Sequence, residues 1–252
     1  MPVYVHVIDH PDARVLVDTG MTQLHPAVAD MEPRLIPLSA QADFDLASID
    51  VVINTHLHFD HCGGNHLFTG RPIYVQSREL DDVRSEDDYT IREWVEAPGV
   101  QYVPVDGPLE VLPGLRLVPA PGHTRGSQVV VVETGGRSVV VGGDMAVFYA
   151  ELDEPRTEGQ RLVRALDPEE VWLSHEHEPW RPQVDQQRLI RASKTERLAD
   201  DRAAALSVGH DTVAHVIAHA NGRLTLADVE GSQPERWGGS VPADHLVDGL
   251  RL

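Results

Sequence analysis

Cysteine is almost absent from this sequence, and so are the segments that direct a protein out of the cell or into a membrane. Cys62 is the only cysteine among 252 residues, so no intramolecular disulfide can form. A chain without disulfides is typical of a reducing compartment. The first ten residues have no basic start, and no stretch approaches the roughly 20 apolar residues that a membrane-spanning helix requires. We therefore expect a cytoplasmic protein.

Basic residues are also scarce. Lys and Arg number 21 against 40 Asp and Glu, which gives a formal net charge of −19. A surface of that charge repels nucleic-acid phosphates and anionic lipids. The composition therefore disfavours nucleic acid and membranes as partners, but it does not choose a substrate. We expect a small-molecule substrate and leave a homodimer open.

Short runs rich in β-branched residues recur along the first three quarters of the chain, and each is bounded by turn-forming residues, as strands are. They are Val3–Ile8, Arg14–Val17, Val51–Asn54, Ile73–Gln76, Leu115–Pro119, Gln128–Glu133, Ser138–Val141 and Val171–Ser174. Helix-like stretches such as Ser77–Val83 and Glu158–Leu166 lie between them. Val129–Val132 is apolar at consecutive positions, a pattern typical of strands covered on both faces. The sequence thus predicts a layered α/β sandwich.

The character of the sequence changes near Pro182, so we predict a main domain over residues 1–181 and a C-terminal extension over residues 182–252. The extension contains a charged helical stretch, Asp185–Leu206, followed by Thr212–His219 and a turn at Asn221-Gly222. It carries no recognisable chemistry. We expect a small, mainly helical extension that packs on the same domain or supports dimerisation.

A dense cluster of metal-ligand residue types follows the predicted strand at Val51. The run is His56-Leu57-His58-Phe59-Asp60-His61, and Gly63-Gly64 after it permits a tight turn. Imidazole and carboxylate are the ligands that Zn²⁺ and similar ions prefer. A single histidine or aspartate usually has a structural role. Four candidate ligands within six residues instead favour a metal site.

Three further candidate ligands stand at the ends of later predicted strands: His123, Asp144 and His175. Residues at the ends of neighbouring strands can converge on one edge of a sheet. Seven ligands are more than one tetrahedral site can use, so the sequence predicts two metal ions.

These motifs resemble the metallo-β-lactamase superfamily and, within it, the N-acyl-homoserine lactonase branch. The resemblance spans roughly residues 3–178 and implies a four-layer αββα sandwich. The motifs that carry it are Val15-Leu16-Val17-Asp18-Thr19-Gly20-Met21, the His56–His61 run with Gly63-Gly64-Asn65, Pro72-Ile73-Tyr74-Val75-Gln76, Pro121-Gly122-His123-Thr124, Gly143-Asp144 and Ser174-His175.

The resemblance also implies how the ligands are shared between two divalent ions, for which zinc is the expected metal. The first ion takes His56, His58 and His123, the second takes Asp60, His61 and His175, and Asp144 bridges the two.

Three neighbouring residues need separate interpretation. Asp18 would orient a ligand through a hydrogen bond, although an Asp before Thr-Gly is also a common turn residue. His177 is an alternative to His175, which we favour because it directly follows the strand. Cys62 is expected to be a small buried residue and not a thiolate ligand.

The activity that the resemblance implies is lactone hydrolysis by a metal-bound hydroxide. Asp60 would orient the nucleophile or pass a proton to the leaving alkoxide. The lactonase branch commonly has a tyrosine three residues after the bridging aspartate, where this chain has Val147. Tyr149 is our candidate for the missing hydroxyl.

Two alternatives stay open at this point. The chain could be another hydrolase of the superfamily, acting on a thioester, a β-lactam or a phosphodiester. It could also bind metal without hydrolysing anything. A redox role would require a flavodoxin-like domain, and about 70 residues of extension are too few for one.

Overall fold

The computed structural model describes most of the chain up to Pro182 and two short strands beyond it. The described residues are 2–35, 38, 45–87 and 89–182, with 215–219 and 250–251 as backbone strands only. The predicted helical stretch Asp185–Leu206 lies outside the described residues.

The described strands are numbered in chain order. They are β1 (His6–His10), β2 (Ala13–Val17), β3 (Arg34–Leu35), β4 (Val51–Ile53), β5 (Pro72–Gln76), β6 (Gln101–Val105), β7 (Leu109–Leu112), β8 (Leu115–Pro119), β9 (Gln128–Thr134), β10 (Arg137–Gly143), β11 (Glu170–Leu173), β12 (His215–His219) and β13 (Leu250–Arg251).

The described helices are shorter and lie between the strands. The α-helices are α1 (Phe59–Cys62), α2 (Ser77–Ser85), α3 (Arg92–Val95), α4 (Tyr149–Asp153) and α5 (Glu158–Ala165). Single 3-10 turns cover Pro26–Met31, Leu46–Ser48 and Asn65–Phe68. None of these helices combines the length and hydropathy that crossing a membrane requires.

Two sheets form the centre of the fold. The first has the order β12-β1-β2-β4-β5-β6, with β2, β4, β5 and β6 running parallel. The second has the order β11-β10-β9-β8-β7 and is antiparallel except for the β10–β11 pair. A third, two-stranded sheet pairs β13 with β3.

The main hydrophobic core lies between the two large sheets. Ile8, Val15 and Ile53 of the first sheet pack with residues such as Leu117 and Val130 of the second. Burial of this apolar surface is the largest favourable contribution to folding. The two sheets therefore form the inner layers of the sandwich.

Each sheet is covered on its outer face by helices. Val129 and Val131 of β9 pack outward with Leu152 of α4 and Val163 of α5. On the other side, α2 packs Leu80 and Val83 with Val75 of β5. Consecutive valines in β9 are buried because alternate side chains enter different cores. This is the predicted four-layer αββα sandwich.

Each predicted strand and helix of the main domain overlaps with an element of the structure, although β1 begins at His6 and not at Val3. Four described strands, β3, β6, β7 and β13, were not predicted. β6 contains Pro104, which argues against a central strand. The structure places β6 at the edge of its sheet, where a proline is tolerated.

The described part of the C-terminal extension is strand. His215–His219 pairs antiparallel with β1, and this backbone pairing extends the first sheet by one strand. The prediction of a helical extension rests on the stretch Asp185–Leu206, outside the described residues.

Candidate metal centre

The candidate ligands lie where strands of both large sheets end. β4 ends at Ile53, and the loop after it carries His56 and His58 before α1 presents Asp60 and His61. In the second sheet His123 follows β8, Asp144 directly follows β10, and His175 lies two residues after β11. The structure therefore brings together, at one edge of the sandwich, residues that lie up to 119 positions apart in sequence.

The seven predicted ligands form three overlapping groups. Within each group, the ligand atoms all lie within 4.8 Å of one another. The groups are His56, His58 and His123; Asp60, His61 and His175; and His56, His61 and Asp144. The first two groups coincide with the predicted division between two ions. Asp144 shares its group with one histidine from each, which is the position that a bridging ligand requires.

Three ligand atoms in this cluster are buried without a hydrogen-bond partner among the described residues. They are Nε2 of His56, Nε2 of His61 and Oδ1 of Asp144. A buried polar atom without a partner costs free energy, and such atoms are rare in folded proteins. A divalent ion among them would supply the missing interaction, so the residues present fit a metal centre.

The first group has the electrostatics of neutral imidazoles. Burial, together with the neighbouring histidines, lowers the pKa of His56 well below its usual value and that of His58 to about 4. The pKa of His123 is also lowered, chiefly by burial. His123 Nε2 lies only 3.0 Å from His58 Nδ1. Neutral imidazole is the form that binds metal ions.

Asp144, the candidate bridging ligand, carries a negative charge. Burial alone would raise the pKa of Asp144, but His61 and His175 outweigh it and hold the pKa well below its usual range. Asp144 Oδ2 lies 3.3 Å from His61 Nε2 and 3.0 Å from His175 Nε2. An ionised carboxylate between imidazoles is the donor set expected of a borderline divalent ion.

Asp18 orients His61 from outside the ligand cluster. His61 Nδ1 donates to Asp18 Oδ2 at 2.9 Å, which leaves Nε2 facing the other ligands. The backbone N–H and the hydroxyl of Thr55 also donate to the Asp18 carboxylate, each at 2.7 Å. This arrangement favours the orienting role for Asp18 over the turn-forming alternative.

The structure distinguishes the two histidines that follow β11. His175 Nδ1 donates to the Pro2 carbonyl at 2.6 Å, and its Nε2 faces Asp144. His177 instead shares a hydrogen bond with the Tyr4 hydroxyl, and the two rings meet edge to face. His175 is therefore the histidine in the cluster.

Tyr149 lies apart from the seven candidate ligands. Its hydroxyl accepts a hydrogen bond from the Glu178 backbone N–H at 2.8 Å, and its ring packs on the outer core of the second sheet. Among the described residues, no hydrogen bond or ring contact joins it to the ligand cluster. A catalytic role for Tyr149 stays a prediction.

Cys62 is buried, and burial raises the pKa of its thiol to about 12. Its Sγ donates to the Leu57 carbonyl at 3.4 Å. The thiol is thus protonated at neutral pH and belongs to the apolar cluster under α2.

Two groups that support the ligand residues were not predicted from the sequence. One is the Pro2 carbonyl, for which local sequence offers no signal, and the other is Glu79, a fully buried carboxylate on α2. The signal for Glu79 was a charged residue beside Leu80 on the buried face of a helix. Charged residues are rarely buried in such a position without partners.

A cavity of about 900 Å³ opens beside His58 and His123. Among the described residues of its wall, Arg125 is the only arginine or lysine, and it pairs with Asp82 and Glu86. The remaining wall residues are Asp87, Tyr89, Pro121, Gly122, Thr124, Thr157 and Glu158. A cavity of this size holds a small molecule, and its carboxylates disfavour an anion.

Comparison with known proteins identifies relatives of the chain. The model of the metallo-beta-lactamase superfamily matches residues 1–210. An N-acyl homoserine lactonase from a Bacillus species is 30% identical over 151 residues, which are 53% of this chain and 59% of that protein. The N-acyl homoserine lactonase of Bacillus thuringiensis matches with the same identity and coverage. The chain thus spans less than two thirds of these relatives.

Solved structures show the same fold. An N-acyl homoserine lactone hydrolase, with the product N-hexanoyl-L-homoserine bound at its catalytic metal centre, gives a TM-score of 0.54 at 23% identity. The match covers 78% of this chain and 78% of that one. At this identity the similarity extends to the architecture of the sandwich.

Proposed function

The chain belongs to the metallo-β-lactamase superfamily, and from that premise we propose that it is a metal-dependent hydrolase that opens the ring of N-acyl-homoserine lactones or a related small lactone. The observation that carries the proposal is the cluster of seven ligand residues with three buried, unpartnered ligand atoms. The lactonase activity of relatives at 30% identity supports the choice of reaction.

The proposed centre holds two divalent ions, with zinc as the expected metal. His56, His58 and His123 would hold one ion, Asp60, His61 and His175 the other, and Asp144 both. Two ions in this position supply a nucleophile from water at neutral pH and polarise a carbonyl. Histidine-rich donor sets of this kind suit zinc.

Asp60 is the proposed proton-handling residue. Burial raises its pKa, but His61 and His175 outweigh burial, so the pKa lies below its usual value. Its Oδ2 lies 3.5 Å from His61 Nε2 and 3.9 Å from His175 Nε2. An ionised carboxylate here can orient an attacking water, accept its proton and return the proton to the leaving alkoxide.

The cavity wall supports a neutral substrate. A lactone carries no charge, whereas phosphodiesters, β-lactams with a carboxylate and glutathione thioesters are anions. Four carboxylates line the described wall, those of Asp82, Glu86, Asp87 and Glu158, against one arginine, Arg125. Arg125 pairs with Asp82 and Glu86, and Asp87 pairs with Arg92 at 3.8 Å, so the wall keeps an excess of negative charge. Repulsion between like charges therefore disfavours the anionic alternatives.

Tyr149 is retained as a proposed substrate-binding hydroxyl. Burial raises the pKa of Tyr149 to about 12, so the group is protonated at neutral pH. A hydroxyl that accepts one hydrogen bond, as this one does from Glu178, can still donate one. The carbonyl oxygen of a substrate is the acceptor we propose.

The test combines metal analysis with a hydrolysis panel. We expect about two divalent ions per chain and ring opening of short- and long-chain N-acyl-homoserine lactones, with one proton released per turnover. Asp144→Asn should weaken the binding of both ions. The control is His25→Ala, since His25 pairs with Glu93 outside the cluster. A chain with two ions that hydrolyses only thioesters or β-lactams would refute the lactonase proposal. A chain that binds no ion would refute the metal centre.

A further inference from the structure

Glu79 is a buried carboxylate that accepts four hydrogen bonds. Its side chain is fully buried on the first turn of α2. Oε2 accepts from the Leu57 backbone N–H at 3.0 Å and from the Tyr89 hydroxyl at 2.6 Å. Oε1 accepts from the Thr124 hydroxyl and from the Gly126 backbone N–H, the latter at 3.0 Å. Both oxygens are therefore fully engaged.

The two oxygens hold two different loops. Leu57 lies between His56 and His58 in the loop after β4, and Thr124 follows His123 in the loop after β8. These loops follow strands of different sheets. Their facing histidines, His58 and His123, are separated by 65 residues in sequence. One carboxylate thus joins the backbone segments that carry all three members of the first ligand group.

The aromatic partner of the carboxylate also reaches this group. The ring of Tyr89 lies 5.2 Å from the ring of His58, measured between centroids. Its hydroxyl is fixed by the hydrogen bond to Glu79, so the ring is held beside the imidazole, with the two planes tilted by 54°. A ligand side chain needs such support because its rotamer must be fixed before the ion arrives.

Gly126 allows the second loop to approach the carboxylate. A Cβ on Gly126 would lie 2.6 Å from the Glu79 backbone nitrogen and 2.9 Å from Oε1. No larger residue fits without moving the loop or the helix. Close packing at this point is independent evidence that the position of the loop relative to α2 is tightly determined.

A buried carboxylate is a costly way to stabilise a fold. Burial raises the pKa of Glu79, and the four hydrogen bonds oppose that shift. A buried ionic network that is replaced as a whole by well-packed apolar side chains is often as stable or more stable, whereas removal of Glu79 alone would leave four donors without their acceptor. The arrangement at Glu79 is better explained by a need for fixed loop geometry than by stability alone.

We propose that Glu79 is a positioning residue that fixes the loops carrying His56, His58 and His123 relative to each other and so determines the affinity of that group for its ion. The proposal rests on the metal centre of the proposed function. Asp18 orients His61 in the other group, so the two groups have separate supporting carboxylates.

The test is the metal affinity of Glu79→Gln. The amide keeps the shape of the side chain, but its NH₂ group cannot accept hydrogen bonds, so one of the two loops loses its acceptor. We expect one ion to bind about 10- to 100-fold more weakly, the range for loss of a supporting partner. The other ion should bind as in the wild type. Competition with a chelator and the absorption spectrum of the Co²⁺-loaded protein report the two sites separately.

The matched control is Asp81→Asn, which removes an exposed carboxylate from the same helix and should leave both affinities unchanged. Tyr89→Phe provides a second route if Glu79→Gln does not fold, since it removes one hydrogen bond and should weaken the same ion to a smaller extent. Thermal unfolding of the metal-free proteins measures any purely structural effect.

The positioning role is overturned if folded Glu79→Gln binds both ions with wild-type affinity. If Glu79→Gln does not fold, the same result in Tyr89→Phe overturns it. In either case the proposed function still stands. An equal loss of affinity for both ions also overturns the positioning role. If the wild-type chain itself binds no ions, the proposed function fails instead.

Discussion

The carboxylate of Asp18 and the imidazole of His61 are joined by a 2.9 Å hydrogen bond across 43 residues of sequence. Asp18 adopts a left-handed backbone conformation with φ of 59°, which few residues other than Gly, Asn and Asp adopt readily. The backbone conformation and the hydrogen bond together aim the carboxylate at the ligand.

Asp18→Asn should lower the affinity for the ion held by His61 about 10- to 100-fold. Asn tolerates the left-handed conformation, so the change tests the charge and the acceptor while the backbone is preserved. Chelator competition measures the affinity, and Asp9→Asn, at a half-buried ion pair with Arg14 outside the ligand cluster, is the control. Unchanged affinity would show that Asp18 only forms the turn.

His175→Ala should reduce the metal content from two ions towards one, whereas His177→Ala should retain both. The reason is geometric, because His175 Nε2 faces Asp144 while His177 bonds to Tyr4. Metal analysis of the two purified variants decides between them. Loss of an ion only in His177→Ala would move the ligand by two residues.

Gly143→Ala should destabilise the fold by about 2 to 4 kcal/mol. Gly143 has φ of 54°, and a Cβ there would lie 2.3 Å from Thr55 Oγ1. Gly135→Ala is the matched control, since φ is 61° but nothing lies within 4 Å of its Cβ. Strain alone should cost the control about 1 to 2 kcal/mol. Thermal unfolding measures both, and equal losses would contradict the predicted clash.

The metal-free protein should lose stability as the pH falls from about 6.5 towards about 4. Burial lowers the pKa of His58 to about 4, so in this window the unfolded chain binds more protons than the folded one. His61 and His175, whose pKa values are raised, contribute stability that is complete below about pH 6.5 and is lost only at higher pH, so they do not change the direction of this effect. His58→Asn should therefore reduce the dependence on pH. Urea unfolding at pH 7 and pH 5 in the presence of a chelator measures it.

Tyr149→Phe should lower kcat/KM for a lactone. The expected loss of transition-state stabilisation is about 1 to 3 kcal/mol, the range for one hydrogen bond to a polarised oxygen. Metal content should be unchanged, since Tyr149 is not in any ligand group. Steady-state kinetics with metal analysis of the same sample tests both statements. An unaltered kcat/KM would restrict this hydroxyl to its contact with Glu178.

The ligand residues were predictable because their signal is local. His56, His58, Asp60 and His61 lie within six positions, and His123, Asp144 and His175 each follow a strand that the apolar pattern reveals. Strand ends in a layered sandwich meet at one edge, so residue type and position were enough to predict the cluster. The same patterns predicted sheets packed between helical layers, and the family resemblance implied the four-layer arrangement.

Other features depended on contacts that no local pattern encodes. The strand β6 was not predicted, because Pro104 argues against a strand. Pairing with β5 decides its conformation, as pairing with β1 does for His215–His219.

The residues that could bind metal and the layered class of the fold were both predictable without coordinates, because they follow from residue chemistry and short-range periodicity. How those residues are held depends on contacts between distant parts of the chain. The Pro2 carbonyl meets His175 across 173 residues, and Glu79 joins loops from two sheets. A hydrogen bond of this kind forms only when the packed core brings its partners within about 3 Å, and that distance is a property of the whole fold.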